Sequence, residues 1–268
     1  YKWFVTINVD KADTNITIDD TLCEFTYTGS PQTVECGSIN HTETSITYTN
    51  NTFTTVAEGN ALTVGLYAEE TDNYKSASAT TTIIVNKATS VIDKTGVLTE
   101  YTFTGNVQTV TGATLNHDET ELEYQNNTFT TVAEGNALNV VIKAIETANY
   151  KAAETSLTII VNKATYNMEG VVLEGMTVDY TNDAYSLEVA GVLPTGVTVN
   201  YLNNGKVIAG NYIVVAEFSG DYDNYNEIED LSASLVINKI AYDFSELIYV
   251  DTVVTYNAIA QRITATNI

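Results

Sequence analysis

Ile-Ile-Val-Asn-Lys-Ala occupies residues 83–88 and returns unchanged at residues 159–164. Looser copies stand at 235–240, Leu-Val-Ile-Asn-Lys-Ile, and at 7–12, Ile-Asn-Val-Asp-Lys-Ala. Their lysines fall at 11, 87, 163 and 239, each 76 residues after the last. A period this regular marks tandem modules. The phrase closes a strand. Val5, Ile7 and Val9 fall on every second residue, and at the same repeat positions stand Thr81, Ile83 and Val85, Leu157, Ile159 and Val161, and Ala233, Leu235 and Ile237. Period-two alternation predicts a strand with one face in a core.

The repeat divides the chain into a last strand of a truncated preceding module at 1–11, three modules at 12–87, 88–163 and 164–239, and the start of a truncated following module at 240–268. No initiator Met and no leader-like stretch opens the sequence, so it reads as a piece of something longer. A lone module of this size buries only about 60% of its unfolded surface, so neighbours are expected to pack end to end and share stability. Junctions only a few residues long predict a stiff rod.

Within the first module, strands are expected at 22–27 and 32–36 around the turn Thr28-Gly29-Ser30-Pro31, pairing as a hairpin. A strand at 45–49 meets the turn Asn50-Asn51, and Leu62, Val64, Leu66 and Ala68 share one face of another. The polar loop 69–75 has room for a short helical turn. Residues 50–62 recur without change at 126–138. In the third module Tyr180 and Tyr185 match the spacing of Tyr27 and Gln32, Ala209-Gly210-Asn211-Tyr212 opens a strand, and Tyr256 and Gln261 follow after a further 76 residues.

Composition agrees: the chain is rich in Thr, Val, Ile, Tyr and Asn, with 18 Tyr and 2 Pro among 268 residues, a β-forming mixture. A formal charge of −23, from 34 acidic against 11 basic side chains with Arg262 the one arginine, repels phosphate backbones and anionic lipid and argues against nucleic acid. No apolar stretch reaches the ~18 residues a membrane span needs, so no membrane insertion is expected of this segment.

The frame of Tyr-x-x-x-x-Gln, an Asn-Asn turn, Ala-Gly-Asn-Tyr at a strand entry, a late Asn-Tyr and a closing Val-Asn-Lys-Ala resembles the MBG ("mostly β-grasp") modules, which occur as tandem arrays in large, mainly bacterial, surface proteins. Tyr180, Tyr201, Ala209-Gly210-Asn211-Tyr212, Asn224-Tyr225 and Ile237-Asn238-Lys239 carry it best. The first two modules depart from it at Ala57-Glu58-Gly59-Asn60-Ala61-Leu62. The resemblance implies a mainly β fold, a tandem array of small β-grasp/Ig-like modules, and a spacer or adhesin-stalk role without chemistry.

Residues that could carry chemistry are few. Cys23 and Cys36 flank the expected hairpin turn symmetrically, within a disulfide's reach, and an oxidising, extracellular compartment favours the bond; two buried thiols are the alternative. His41 and His117 are the two histidines, one repeat apart, and two loop residues on separate modules make neither a metal cluster nor a catalytic set. Asn15, Asn40, Asn50 and Asn126 head N-x-Thr sequons, candidate glycosylation sites if the source glycosylates secreted proteins. The repeated lysines are expected at junctions, pairing with acids, rather than in buried Lys–Asn cross-links. The acidic stretches 69–72 and 221–224 offer oxygens for Ca²⁺ but lack EF-hand or RTX spacing, and no other cofactor is suggested. Leu193-Pro194-Thr195-Gly196 reads as a turn. No catalytic constellation is present, so no enzyme is expected. The expectation is a structural segment of an extracellular fibre, stalk or adhesin, a stiff spacer or filament unit whose partners are neighbouring modules or other copies of itself. The alternative is a multivalent binder of glycan or a host or partner protein, through the identical loops of the first two modules.

Overall fold

The computed structural model of the chain describes residues 1–248 and 251–262. The chain forms two compact units, Tyr1–Asn162 and Lys163–Ile268. Both are β-rich, as expected, and the first contains two copies of one plan.

The first unit repeats one plan twice. In the first copy, Thr63–Ala68 lies between Ile46–Thr49 and Ala77–Thr82, antiparallel to each. The chain continues through Ile83 into Ile84–Asn86, which pairs in parallel with Glu24–Thr26. A second layer pairs Ile16–Ile18 with Gly37–Ile39 and Gln32–Thr33 with Thr52–Phe53, all antiparallel. Val34 and Cys36 from this layer meet Val64, Leu66 and Val85 from the first in one core. Two β layers closing on a shared apolar core make an Ig-like sandwich. The alternation read at 62–68 places Val64, Leu66 and Ala68 fully inside; burying each larger side chain contributes about 1.5–3 kcal/mol. The second copy matches it: Leu122–Gln125, Asn139–Ala144 and Ala153–Thr158 form the antiparallel trio, and Ile160–Asn162 runs parallel to Glu100–Thr102.

Three expectations change. Strands 22–27 and 32–36 form no hairpin. Glu24–Thr26 joins Ile84–Asn86 in one layer, while Gln32–Thr33 crosses to Thr52–Phe53 in the other. Gly29, at φ +78°, turns the chain between layers rather than back along one sheet. No helix forms at 69–75; the helix is Val56–Asn60, repeated as Val132–Ala137. A capping box explains its place. Thr55 Oγ1 accepts from Glu58 N, and the Glu58 carboxylate accepts from Thr55 N, satisfying donors that a free helix start leaves unpaired. Last, residues 1–11 form no strand, and Val5, Ile7 and Val9 are exposed at 85%, 81% and 87%. Their counterpart Val85 is buried because Glu24–Thr26 stands beside its strand; among the described residues no strand pairs with residues 5–9. Among described residues of 240–262 no strand forms either, and Tyr256 and Gln261 are exposed.

Cys23 and Cys36 are disulfide-bonded, with Cα atoms 5.7 Å apart. Because no hairpin exists, the bond staples the end of the 3₁₀ turn Asp20–Cys23 to the neighbouring layer instead of bridging paired strands. The second copy has Thr99 and Gly112 at these positions. There the chain crosses by backbone contact: Gly112 has φ +106°, and a Cβ on it would lie 2.5 Å from Gly96 O.

The second unit carries a larger version of the main sheet. Met176–Asp179, Leu231–Asn238, Gly210–Ser219 and Thr198–Leu202 lie side by side in that order, the first pair parallel and the others antiparallel. Val172–Leu173 pairs with Val189–Ala190 in the second layer. Leu187, Val214, Leu235 and Ile237 pack within it. Leu193-Pro194-Thr195-Gly196 is a turn, with Val197 N donating to Pro194 O at 3.0 Å and Gly196 at φ +82°.

Candidate functional site

Around each histidine of the first unit the sequence assembles one repeated polar station. In the second module, His117 stacks on Tyr150 with ring centres 3.7 Å apart. Glu119 N donates to His117 Nδ1 at 3.3 Å, and Ser90 Oγ lies 2.9 Å from Nε2. Ser90 Oγ donates to Lys151 O at 2.6 Å. The Nδ1 lone pair is therefore taken, which assigns the ring proton to Nε2 and makes the imidazole a donor to Ser90. A hydroxyl whose own proton goes to a carbonyl, facing an imidazole N–H, is not an activated nucleophile. The Glu119 carboxylate accepts from Thr147 Oγ1 at 2.6 Å and Asn149 Nδ2 at 2.9 Å.

The first module repeats every contact. His41 stacks on Tyr74 at 3.7 Å, Thr14 Oγ1 stands 3.0 Å from His41 Nε2, and Glu43 accepts from Thr71 Oγ1 at 2.7 Å and Asn73 Nδ2 at 2.9 Å. His41 and His117 are thus structural. The sequence signal was His-x-Glu at 41–43 and 117–119 with Thr-x-Asn-Tyr at 71–74 and 147–150, which single-residue reading left unconnected. The third module lacks the histidine: Leu193 takes that repeat position, and Tyr166 stacks on Tyr225 at 4.0 Å.

The repeated lysines tie down the segment that enters each module. Lys11 Nζ bonds Glu70 and Thr71 O, Lys87 Nζ bonds Glu146 and Thr147 O, and Lys163 Nζ donates to Tyr222 O. With side chains 38% and 30% exposed, Lys11 and Lys87 sit in ion pairs at the surface rather than in a buried cross-linking site. Lys239 lines an apolar cleft of about 650 Å³ with Tyr180, Ile208 and Tyr242.

The second station is covered by the first module. Tyr27 packs edge-on against Tyr150, centres 5.4 Å apart, and its hydroxyl donates to Glu119 at 3.3 Å. Val56 N, at the start of the short helix, donates to Asn149 Oδ1 at 3.0 Å. Asn149 is consequently buried, whereas Asn73 in the first station is exposed. Partial burial pushes the Glu119 carboxyl up, but hydrogen bonds from Thr147, Asn149 and Tyr27 outweigh it and hold the group below its ordinary value. Glu43 is held low by Thr71 and Asn73. Burial and the Glu119 carboxylate push the Tyr27 hydroxyl up.

The sequons divide. Asn40 is committed to the fold: its Nδ2 donates to Asp13 O and its Oδ1 accepts from Asn15 N. Asn60 brackets Val85 N and O in the same way, and Asn204 brackets Leu187. In these places a side-chain amide stands in for a strand partner. Asn15 is exposed; Asn50 and Asn126 are exposed too, at φ +49° and +53° in their turns. The loops shared by the first two modules are likewise spent on folding, through Thr55, Glu58 and Asn60 and their copies Thr131, Glu134 and Asn136. In the acidic stretches Glu70 pairs with Lys11 and Asp221 accepts from Asn224. Among the described residues no three His, Cys, Asp or Glu side chains converge on a metal position, and no helix is long and apolar enough to cross a membrane.

No family model and no curated protein matches the chain. Solved structures similar to it include Sidekick-1 immunoglobulin domains 1–5 at 12% identity and TM-score 0.29, covering 85% of this chain and 59% of that one. The titin I-band fragment I67–I69 follows at 9% and 0.26, covering 85% and 99%, and Drosophila N-cadherin EC1-4 at 9% and 0.25, covering 79% and 71%. Scores this low carry no argument, and the fold rests on the strand pairing above.

Proposed function

We propose that the chain is a structural repeat segment of an extracellular fibre, stalk or adhesin, built from MBG-type modules that act as stiff spacers. The junction inside the first unit carries this reading. Only Lys87 separates the last strand of one module, Ile84–Asn86, from Ala88–Thr89, which pairs with Tyr150–Lys151 of the next. Lys87, Tyr27 and Val56 then tie the two modules at three separate points. Domains joined by a small polar interface normally move relative to each other; a junction without a linker and with side-chain ties on several sides resists bending. The MBG-like frame and the layer-stapling disulfide favour a surface location. Pulsed dipolar spectroscopy tests stiffness, with spin labels on unnatural amino acids at Thr47 and Glu123, both exposed. A single narrow distance distribution is expected; a broad one would overturn the spacer reading.

A further inference from the structure

The two stations of the first unit are built alike, yet one is covered and one is open. At the open one, Lys11, Glu43, Asp72, Asn73 and Tyr74 line a cleft of about 460 Å³ beside Val9. We infer that this cleft is a docking face for the end of another module of the same plan, which presents a tyrosine to Glu43 and Tyr74 and a helix-start N–H to Asn73 Oδ1. The inference deepens the spacer reading and rests on it.

Four observations converge. First, the covered station defines what the face accepts: an aromatic edge on the tyrosine, a hydroxyl on the glutamate and a backbone N–H on the asparagine. The open station holds the same three acceptor groups in the same internal hydrogen bonds. Second, the chain enters both stations identically. Ala12 forms a parallel bridge with Tyr74, as Ala88 does with Tyr150, and Lys11 bonds Glu70 and Thr71 O, as Lys87 bonds Glu146 and Thr147 O. Third, residues 1–11 repeat the last-strand pattern, and Val5, Ile7 and Val9 are solvent-exposed on a segment whose counterpart lies in a core. Fourth, in the first module Tyr27 N bonds Asn86 O, so docking tyrosine and last strand travel together. A module ending at residue 11 would carry its own such tyrosine onto Glu43.

The test lengthens the whole chain, placing a copy of residues 12–76 before Tyr1 so that residues 1–11 become its last strand. Amide hydrogen exchange is then read at the Val56 position of the added copy. Protection is expected there, and Asn73→Ala should speed its exchange by about 10-fold or more, the equivalent of one lost hydrogen bond to a buried donor. An added module that folds but whose Val56 position exchanges at the same rate with and without Asn73→Ala overturns the inference. A second lengthened chain carries a copy of residues 88–152, which needs no disulfide. If neither addition orders residues 1–11 while the original modules stay folded, the inference is likewise overturned. The Thr47–Glu123 distance is unaffected by these additions, so failure here and failure of the spacer reading are told apart.

Discussion

The first and second modules are near-copies that differ in two respects, the residues at the crossing between layers and whether a neighbouring module lies over the histidine station. Where the chain crosses between layers, the first uses the Cys23–Cys36 disulfide and the second a backbone contact between Gly96 and Gly112. At the histidine station, the second module buries Asn149 under its neighbour while the first leaves Asn73 exposed. The lesson is that the module plan does not depend on the disulfide, which one copy has and the other lacks. The sandwich is specified by its alternating strands, and the crossing and the station are local additions whose energetic weight depends on what lies against them.

The largest expected effect breaks the first contrast. Replacing Cys23 and Cys36 together by alanine should destabilise the first module by about 2–4 kcal/mol, mainly by releasing the closed loop in the unfolded chain. The second module lacks that bond and should be unchanged, so exchange rates of core amides at Val64 and Leu66 should rise while those at Val140 and Ile142 hold. Equal acceleration in both modules would show that they unfold as one unit, and the contrast would dissolve.

That contrast also marks how far the sequence could be read. Faces of strands were legible, because a half-buried strand writes its burial every second residue; Val64, Leu66 and Ala68 fell where expected. Partners were not. The turn at Gly29 has hairpin chemistry, yet Glu24–Thr26 chooses Ile84–Asn86, about sixty residues away, and nothing local encodes that choice. The Cys23–Cys36 pairing was read from a symmetry the fold does not use. The short helix was missed because Gly59 and Asn60 are poor helix formers, although Thr55-x-x-Glu58 announced its start. The stations were half legible. The histidines stood out, but the partners that define them lie about thirty residues away, so the histidines read as solitary.

The second contrast is sharpened by paired substitutions. Asn149→Ala removes the acceptor for Val56 N and leaves that buried donor unpaired, a loss of about 1–3 kcal/mol at the junction. Asn73→Ala loses only the internal contact to Glu43 and should stay within about 0.5 kcal/mol. Exchange at the Val56 amide reads the difference directly: fast with Asn149→Ala, unchanged with Asn73→Ala. If both substitutions leave Val56 protected, the junction is held by Lys87 and Tyr27 alone.

The smallest effect is electrostatic and separates the stations by pH. Glu43 and Glu119 are both held below the ordinary carboxylate range of about 4.3. A depressed folded value means each contributes stability that is present above that range and lost as pH falls through the folded value. Glu119 alone receives a bond from the neighbouring module, through Tyr27. Tyr27→Phe should therefore move Glu119 upward, toward its ordinary value, and leave Glu43 where it is, as followed by carboxyl carbon shifts in an acid titration. Tyr27 itself titrates high, so its contribution is whole below the ordinary tyrosine range near 10 and fades as pH rises through its folded value. The junction should then loosen at both extremes of pH and hold between them. Among the described residues no tyrosine of another module bonds Glu43 at the open station, so Tyr27→Phe should leave the pH response of Glu43 unchanged. A change at Glu43 equal to that at Glu119 in Tyr27→Phe would mean that the neighbour's tyrosine is not what distinguishes the two.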